Sequence, residues 1–265
     1  MVTGASSGLG RALALACARA AMHVVLADID ADGLRETEAL VRAVGVRSLV
    51  VATDVADPGA VDRLADAAFF TFGEIGLLLN NAGVMVAGAA WDTSLADWDW
   101  VLRINLMGVV HGIRSFVPRM LAGQLEGHVV NTASLAGMVS GPGMAGYCAS
   151  KHAVVGVTEC LAHDLRLARS RIGASVLCPG FVPTRLTDVG RYGRTETPPA
   201  DPAKSRRIER QLAAATVMAD DVAAAVIDAV RSRRFYVLTH DGSNAAVEQR
   251  MQAIVGGGYP PIARI

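Results

Sequence analysis

The sequence lacks any surplus of charge: 25 lysines and arginines stand against 25 aspartates and glutamates. With zero net charge there is no long-range field to gather nucleic acid or an anionic membrane surface, so neither is expected as a partner. Cysteine is scarce as well. Cys17, Cys148, Cys160 and Cys178 stand far apart, with no C-x-x-C pair and no Cys/His ligand spacing. That pattern gives no zinc or dithiol centre, no metal is expected, and the four read as reduced, mostly packed thiols. Also lacking is an apolar run long enough to cross a bilayer, and the first residues form neither a charged n-region nor an apolar h-region. A cytoplasmic enzyme fits these absences.

Apolar side chains are plentiful, at 52% of 265 residues. That length supports one large core and is short for two, so a single domain over residues 1–265 is expected. Short apolar runs at Val24–Ala27, Leu49–Ala52, Leu77–Leu79, His128–Asn131, Ser175–Cys178 and Phe235–Leu238 read as strands. Helical periods fill the intervals near residues 8–21, 31–44, 58–72, 97–122, 147–169 and 220–232. Strands that are apolar throughout belong to a parallel sheet covered on both faces, so the alternation implies a three-layer, doubly wound α/β fold of about seven strands. Carboxylates at Asp57 and at Asp220-Asp221 sit where the first free N–H groups of two helices need an acceptor. Thr187 to Arg210, with Gly190, Gly193, Pro198, Pro199 and Pro202, breaks the pattern and reads as a long irregular segment, a lid or binding loop over about 185–215 or else disordered. Its basic cluster, Lys204, Arg206, Arg207 and Arg210, reads as a solvated helix face.

Residues 3–10 read Thr-Gly-Ala-Ser-Ser-Gly-Leu-Gly, directly before an alanine- and leucine-rich helix. Gly4, Gly8 and Gly10 would let the chain turn tightly and present backbone amides and the helix dipole to a pyrophosphate; a glycine turn without a ligand is the bland alternative. Asp28 lies eighteen residues beyond Gly10, at the end of the Val24–Ala27 strand, where a carboxylate accepts from an adenosine ribose diol and repels a 2′-phosphate. No Arg or Lys adjoins it, and Ser7 fills a loop position where a cation would bind that phosphate. NAD is therefore the expected cofactor. Asp30 is the other candidate for the ribose, although its place before a helix favours an N-cap.

Tyr147 and Lys151 share a helical face at i, i+4. A free phenol, with a pKa of about 10, is a poor base at neutral pH, and a neighbouring ammonium is expected to lower it. Alone the pair is common. Ser134 changes its meaning, because it follows the His128–Asn131 strand at the sheet edge where open α/β sheets bind ligands, and its hydroxyl would hold a substrate oxygen against Tyr147.

These motifs together resemble the main NAD(P)-dependent branch of the short-chain dehydrogenase/reductase family. The resemblance runs in order through Thr3 to Gly10, Asp28, Asp54-Val55, Asn80-Asn81-Ala82-Gly83, Asn105, Ser134, Tyr147 with Lys151, and Pro179-Gly180-Phe-Val-Pro-Thr184. It implies a Rossmann fold and a catalytic set of Asn105, Ser134, Tyr147 and Lys151. It implies cofactor contacts at Gly4, Ser6, Ser7, Gly8, Leu9, Gly10, Asp28, Ile29, Asp54, Val55, Asn81, Ala82, Gly83, Tyr147, Lys151, Pro179, Gly180, Val182 and Thr184. Asp54 would bind the adenine amino group, Asn105 would hold a water linking Lys151 to solvent, Lys151 would grip the nicotinamide ribose, and Val182 and Thr184 would fix the carboxamide. Ser134 and Tyr147 would bind the substrate.

The implied activity is hydride transfer between NAD and a secondary alcohol or ketone; an NADPH-dependent ketoreductase and a non-catalytic dinucleotide sensor are the alternatives. Val84, Met85, Val86, Trp91, Leu135, Met138, Val139, Met144, Phe181 and Leu186 offer apolar pocket walls, suited to an alicyclic, terpenoid or steroid-like alcohol. Many of them, with Trp98 and Trp100, would equally pack the core. The stripe Val154, Val157, Leu161, Leu165 and the family resemblance point to a homodimer or homotetramer, though burial within one subunit explains the stripe as well. Only Met1 and Val2 precede Thr3, where the family has a longer first strand. The expectation is that the strand is truncated, that the true start lies upstream, and that so short a central strand leaves ladder groups unpaired and a gap in the core.

Overall fold

A computed structural model of the chain describes residues 1–188 and 202–262. From the N-terminus come β1 (Val2–Thr3), α1 (Gly8–Arg19), β2 (Val24–Asp28), α2 (Ala31–Ala43), β3 (Ser48–Ala52), α3 (Pro58–Phe72) and β4 (Leu77–Asn80). Next are α4 (Leu95–Leu102), a π-helical turn (Arg103–Met107), α5 (Gly108–Ala122), β5 (Gly127–Thr132), a 3₁₀ turn (Leu135–Gly137), α6 (Ala145–Leu167) and β6 (Ile172–Cys178). α7 (Pro202–Ala213), α8 (Ala219–Ser232), β7 (Tyr236–Leu238) and α9 (Ser243–Val255) complete the described chain. The seven strands form one sheet in the order β3-β2-β1-β4-β5-β6-β7, with every neighbour parallel.

Strand periodicity explains the three layers. In β2, Val24 and Leu26 pack on one face with Leu13, Val222 and Val226 of α1 and α8, whereas Val25 and Ala27 pack on the other with Leu64, Phe116 and Leu161 of α3, α5 and α6. Each buried leucine on either face stabilises the fold by about 1.5–3 kcal/mol, so both faces demand apolar residues and the strand has no polar alternation.

β1 is two residues long, yet the pairing reaches back to Met1, whose amino group donates to the Leu77 carbonyl at 2.7 Å and whose carbonyl accepts from Leu79 N–H at 2.9 Å. Val2 is completely buried. A cavity lined by Met1, Cys17, Val25, Leu77 and His128 lies at that amino edge.

Several expectations are corrected. The single helix expected over 97–122 is α4, a π turn and α5 in succession; a π turn adds one residue to a helical period and leaves no apolar signature. Part of the segment expected to be irregular is α7, which buries Ile208 and Leu212, one helical turn apart, against Met85, Met144 and Tyr147. Arg206, Arg207 and Arg210 on it are exposed, as a solvated face requires. Gly190, Gly193, Pro198, Pro199 and the side chain of Lys204 lie outside the described residues. Asp57 caps α3 through Gly59 N–H, but the N-cap of α8 is Met218, and Asp221 reaches back from the first turn to accept from the Met218 N–H at 2.9 Å. Three of the four stripe residues on α6, Val154, Leu161 and Leu165, are buried within the subunit.

Candidate active site

β1 sits between β2 and β4, so the chain leaves β1 toward one side of the sheet and β4 toward the other. The crevice between those departures, at the carboxyl ends of the strands, is where a doubly wound sheet receives ligands. A cavity of about 350 Å³ opens there, lined from the glycine loop through Asp28 and Asp54 to Ser134, Tyr147, Lys151 and Thr184. Of the positions singled out from the sequence as catalytic or cofactor-binding, all but Ser6, Asn105 and the alternative ribose ligand Asp30 line it.

The glycine loop is shaped by contacts that exclude side chains. Gly4 has φ +67°, and a Cβ there would meet Ala82 Cα at 2.9 Å; a Cβ at Gly10 would lie 1.9 Å from the Gly4 carbonyl oxygen. α1 therefore begins tight against β4. Its first turn carries no acidic residue and its N-cap, Ser7, makes no side-chain cap bond, so the positive end of the helix dipole faces the cleft, as a pyrophosphate requires. Thr3 ties the loop to the next strand: its hydroxyl accepts from the N–H groups of Asn81 and Ala82 at 2.9 and 3.0 Å, and its carbonyl accepts from Asn81 Nδ2 at 3.1 Å.

Asp28 ends β2 with its side chain buried and bent toward that loop. Oδ2 accepts from Ser6 N–H and Oδ1 from Asp30 N–H, both at 3.1 Å. Ser6 thus acts on the site through Asp28 rather than by lining it. Asp30 accepts from Gly33 N–H at 3.1 Å and is the N-cap of α2. Asp54 stands exposed at the cleft and accepts from Ala56 N–H, while Val55 is pinned through its carbonyl by the buried His111 ring at 2.9 Å.

Ser134, Tyr147 and Lys151 converge as their spacing predicts. Lys151 Nζ donates to the Thr132 carbonyl at 2.8 Å and lies 5.7 Å from the centre of the Tyr147 ring. Burial pushes the Tyr147 phenol up to about 12, against a lowering by its hydrogen bond with Ser134. Burial likewise brings the Lys151 ammonium down to about 8. In the protein alone desolvation therefore outweighs the lowering expected from the ammonium. Ser134 accepts from Ala136 N–H at 3.1 Å and donates to the Pro179 carbonyl at 3.3 Å.

Asn105 stands in the π turn, completely buried behind the cleft. Its amide accepts from Val84 N–H at 2.8 Å and donates to the Val84 carbonyl at 2.9 Å and to Ser150 Oγ at 3.0 Å. Both side-chain donors are thereby engaged in fixing the strand-to-helix connection behind Gly83.

The apolar end of the cleft contains Val84, Met85, Met144, Phe181 and Leu186 of the expected wall. Leu135 and Val139 are buried in the core, whereas Trp91 is 86% exposed, which excludes core packing for it, and it does not line the cavity. Trp100, Asp99, Arg103 and Ile104 line the mouth and Leu212 comes from α7; none was singled out as a site residue from the sequence. Trp98 packs beside Gly146 instead. Cys17, Cys148 and Cys178 are buried free thiols, Cys160 is exposed, and no cluster able to hold a metal occurs among the described residues. No helix among them is long and apolar enough to cross a membrane.

Residues 1–193 match the family model for short chain dehydrogenases. Over 269 aligned residues the chain is 35% identical to the CLA biosynthesis dehydrogenase/reductase of Lactiplantibacillus plantarum, covering 98% of this chain and 94% of that one. It is 39% identical over 254 residues to the 1-deoxy-11-beta-hydroxypentalenate dehydrogenase of Streptomyces exfoliatus, covering 95% and 86%. Among solved structures, a short chain dehydrogenase/reductase from Burkholderia phymatum in complex with NAD superposes with a TM-score of 0.95 at 45% identity, covering 98% of this chain and 95% of that one.

Proposed function

The chain belongs to the short-chain dehydrogenase family, and from that membership we propose that this oxidoreductase moves a hydride between NAD(H) and a hydrophobic secondary alcohol or ketone. The observation that carries the reading is the convergence of Ser134, Tyr147 and Lys151 on the cleft that also holds the glycine loop and Asp28. NAD is favoured by the buried Asp28 carboxylate and by the NAD bound in the Burkholderia phymatum relative. An alicyclic or terpenoid-like alcohol is favoured by the Met85, Met144, Phe181 and Leu186 walls and by the hydroxypentalenate in the name of the Streptomyces relative.

Bound NAD would accept the carbon-bound hydrogen as hydride, or NADH return it. Tyr147 would take the hydroxyl proton of the alcohol, or give one to the ketone in reverse, at its phenolic oxygen. Ser134 would turn its hydroxyl from Pro179 to the substrate oxygen and donate there as charge develops. Lys151 spends one of three N–H donors on Thr132 and would use the others on ribose hydroxyls, keeping a cation beside the phenol. Any water relay from Lys151 past Asn105 would use the Asn105 backbone carbonyl, since both side-chain donors are occupied.

The single-domain organisation, with α7 acting as a lid on the apolar end, and assembly as a homodimer or homotetramer belong to the same proposal. The test is a panel of secondary alcohols with NAD, read as NADH production. Tyr147→Phe, which removes one oxygen from a buried ring, should cut turnover by at least about a thousandfold while NAD binding stays within a few-fold. Near-native rates in that variant would refute the role.

A further inference from the structure

The cleft wall that directly follows β6, residues 179–182, is loop, with no strand to satisfy its backbone. Pro179, Gly180, Phe181 and Val182 all line the cavity. Three backbone polar groups of this loop nevertheless have partners. The Pro179 carbonyl accepts from Leu135 N–H at 2.8 Å and from Ser134 Oγ at 3.3 Å. The Gly180 N–H donates to His240 Nδ1 at 3.1 Å, and the Phe181 carbonyl lies 2.8 Å from His240 Nε2.

We propose that His240 is a positioning residue, which fixes the rotation of the Pro179–Gly180 peptide and thereby sets the Ser134 hydroxyl and the Phe181 wall for hydride transfer. The inference rests on the dehydrogenase reading above. It begins with sheet register: Cys178 pairs with Leu238, so two residues further along both chains Gly180 and His240 leave the sheet side by side. Hydrogen-bond logic then fixes the ring. Gly180 N–H can only donate, so Nδ1 must accept; the imidazole proton is left on Nε2, where it donates to the Phe181 carbonyl. Thr239 Oγ1, 3.0 Å from Nδ1, can only share that single acceptor lone pair as a second donor. One neutral ring thus serves both an N–H and a C=O that the sheet has stopped serving.

The coupling to Ser134 follows from peptide planarity. The Pro179 carbonyl and the Gly180 N–H belong to one rigid plane and point in opposite directions. Ser134 and Leu135 hold one side of that plane and His240 holds the other. If the ring is removed the plane keeps only its Ser134 and Leu135 side and can tilt about it, the acceptor against which Ser134 rests shifts, and the Phe181 side chain, packed with Met85, Met144 and Tyr147, shifts with it. The fit is close, since a Cβ at Gly180 would lie 3.0 Å from ring carbons of His240.

His240→Phe keeps the ring's bulk and deletes both polar contacts, whereas His240→Gln keeps one acceptor and one donor. The measurements are amide exchange across 178–182, thermal unfolding, and steady-state rates with NAD and a small and a bulky secondary alcohol. The Phe variant should exchange at Gly180 at least about tenfold faster with β5 and α6 unchanged, and should lose at least about tenfold in kcat while the KM for NAD stays within about threefold. The loss should be greater for the bulky alcohol, and Gln should recover a large part of it. Turnover in the Phe variant within about twofold of wild type, a loss without faster exchange, or no recovery by Gln would each overturn the proposal. Should the Phe variant fail to fold, the Gln variant carries the test, with an intermediate loss in kcat and exchange expected. If the wild-type enzyme oxidises no alcohol with NAD, the dehydrogenase reading fails, and the exchange data still decide whether the clamp exists.

Discussion

Asp28→Asn separates the two tasks that the geometry gives this carboxylate. Its oxygens accept from the Ser6 and Asp30 N–H groups, and the same side chain lines the cleft where an adenosine ribose would lie. With asparagine one acceptor becomes a donor facing an N–H, so one internal bond is lost, at a cost of about 1–3 kcal/mol in stability. For NAD, charge-assisted bonds to the ribose diol become neutral ones, a loss of about 1–2 kcal/mol. For NADP, a repulsion is removed: two unit charges about 4 Å apart at an effective dielectric constant of about 20 interact by about 4 kcal/mol. Even if solvent in the open cleft screens half of that, the ratio of kcat/KM for NAD over NADP should fall by at least about a hundredfold, equivalent to about 2.7 kcal/mol. Initial rates at subsaturating cofactor read the ratio directly. A folded variant whose ratio moves by less than about threefold would refute the placement of the ribose against Asp28 and the preference for NAD with it.

Two further predictions concern protons. With the Tyr147 phenol at about 12 in the free protein, the base form is the minor one, so kcat/KM for alcohol oxidation should climb from mildly acidic to mildly alkaline pH. The climb should level off as the Lys151 ammonium deprotonates near 8, and a profile flat below that point would contradict the assignment. His128 is buried, lies 2.7 Å from Ser175 Oγ, and is held down to about 4 by burial and by nearby Arg233, against 6.5 when unfolded. The fold therefore prefers its neutral form: that contribution of about 3 kcal/mol is complete above 6.5 and is lost as pH falls toward 4. Unfolding free energies from urea titrations at about pH 7 and about pH 5 should differ by about 2 kcal/mol, and a His128→Gln variant should lose that difference.

How much of this could be read in the sequence depended on whether a residue's role was local. β2 was expected at Val24–Ala27 and is Val24–Asp28, because an uninterrupted apolar run between polar residues has few other places in a sheet buried on both faces. Tyr147, Lys151 and Ser134 were legible because a helical period and a strand end fix their directions. α7 was hidden by the glycines and prolines before it, and only Ile208 and Leu212 marked its buried side. α9 was hidden for the opposite reason: of its thirteen residues only Ser243 is buried, so it has no periodic face to detect. His240 gave no signal at all, since its meaning arises from register between β6 and β7, which the sequence does not display. The Tyr147 phenol shows the same limit, since a neighbouring cation is visible in a sequence and the desolvation that opposes it is not.

The polar residues at the strand ends tie these observations together. β1, β2 and β4 run apolar and then close on a polar side chain, Thr3, Asp28 and Asn80, and β5 ends on the polar pair Asn131-Thr132. Buried polar groups are costly unless bonded, and here the bonds run sideways. Thr3 holds Asn81, Asp28 holds Ser6, Asn80 donates to Asn131 and Asn131 to Thr158, and the Thr132 carbonyl holds Lys151. The carboxyl edge of the sheet is thus braced by directional contacts, while its middle is held by packing that tolerates exchange of one aliphatic side chain for another. A β2 or β4 core substitution that conserves volume should therefore cost stability with little change in turnover. Loss of a cross-strand bond at the edge should displace the groups that line the cleft, even where the overall fold survives. The proposed His240 clamp extends that bracing one strand further, to a stretch of backbone the sheet itself no longer supports.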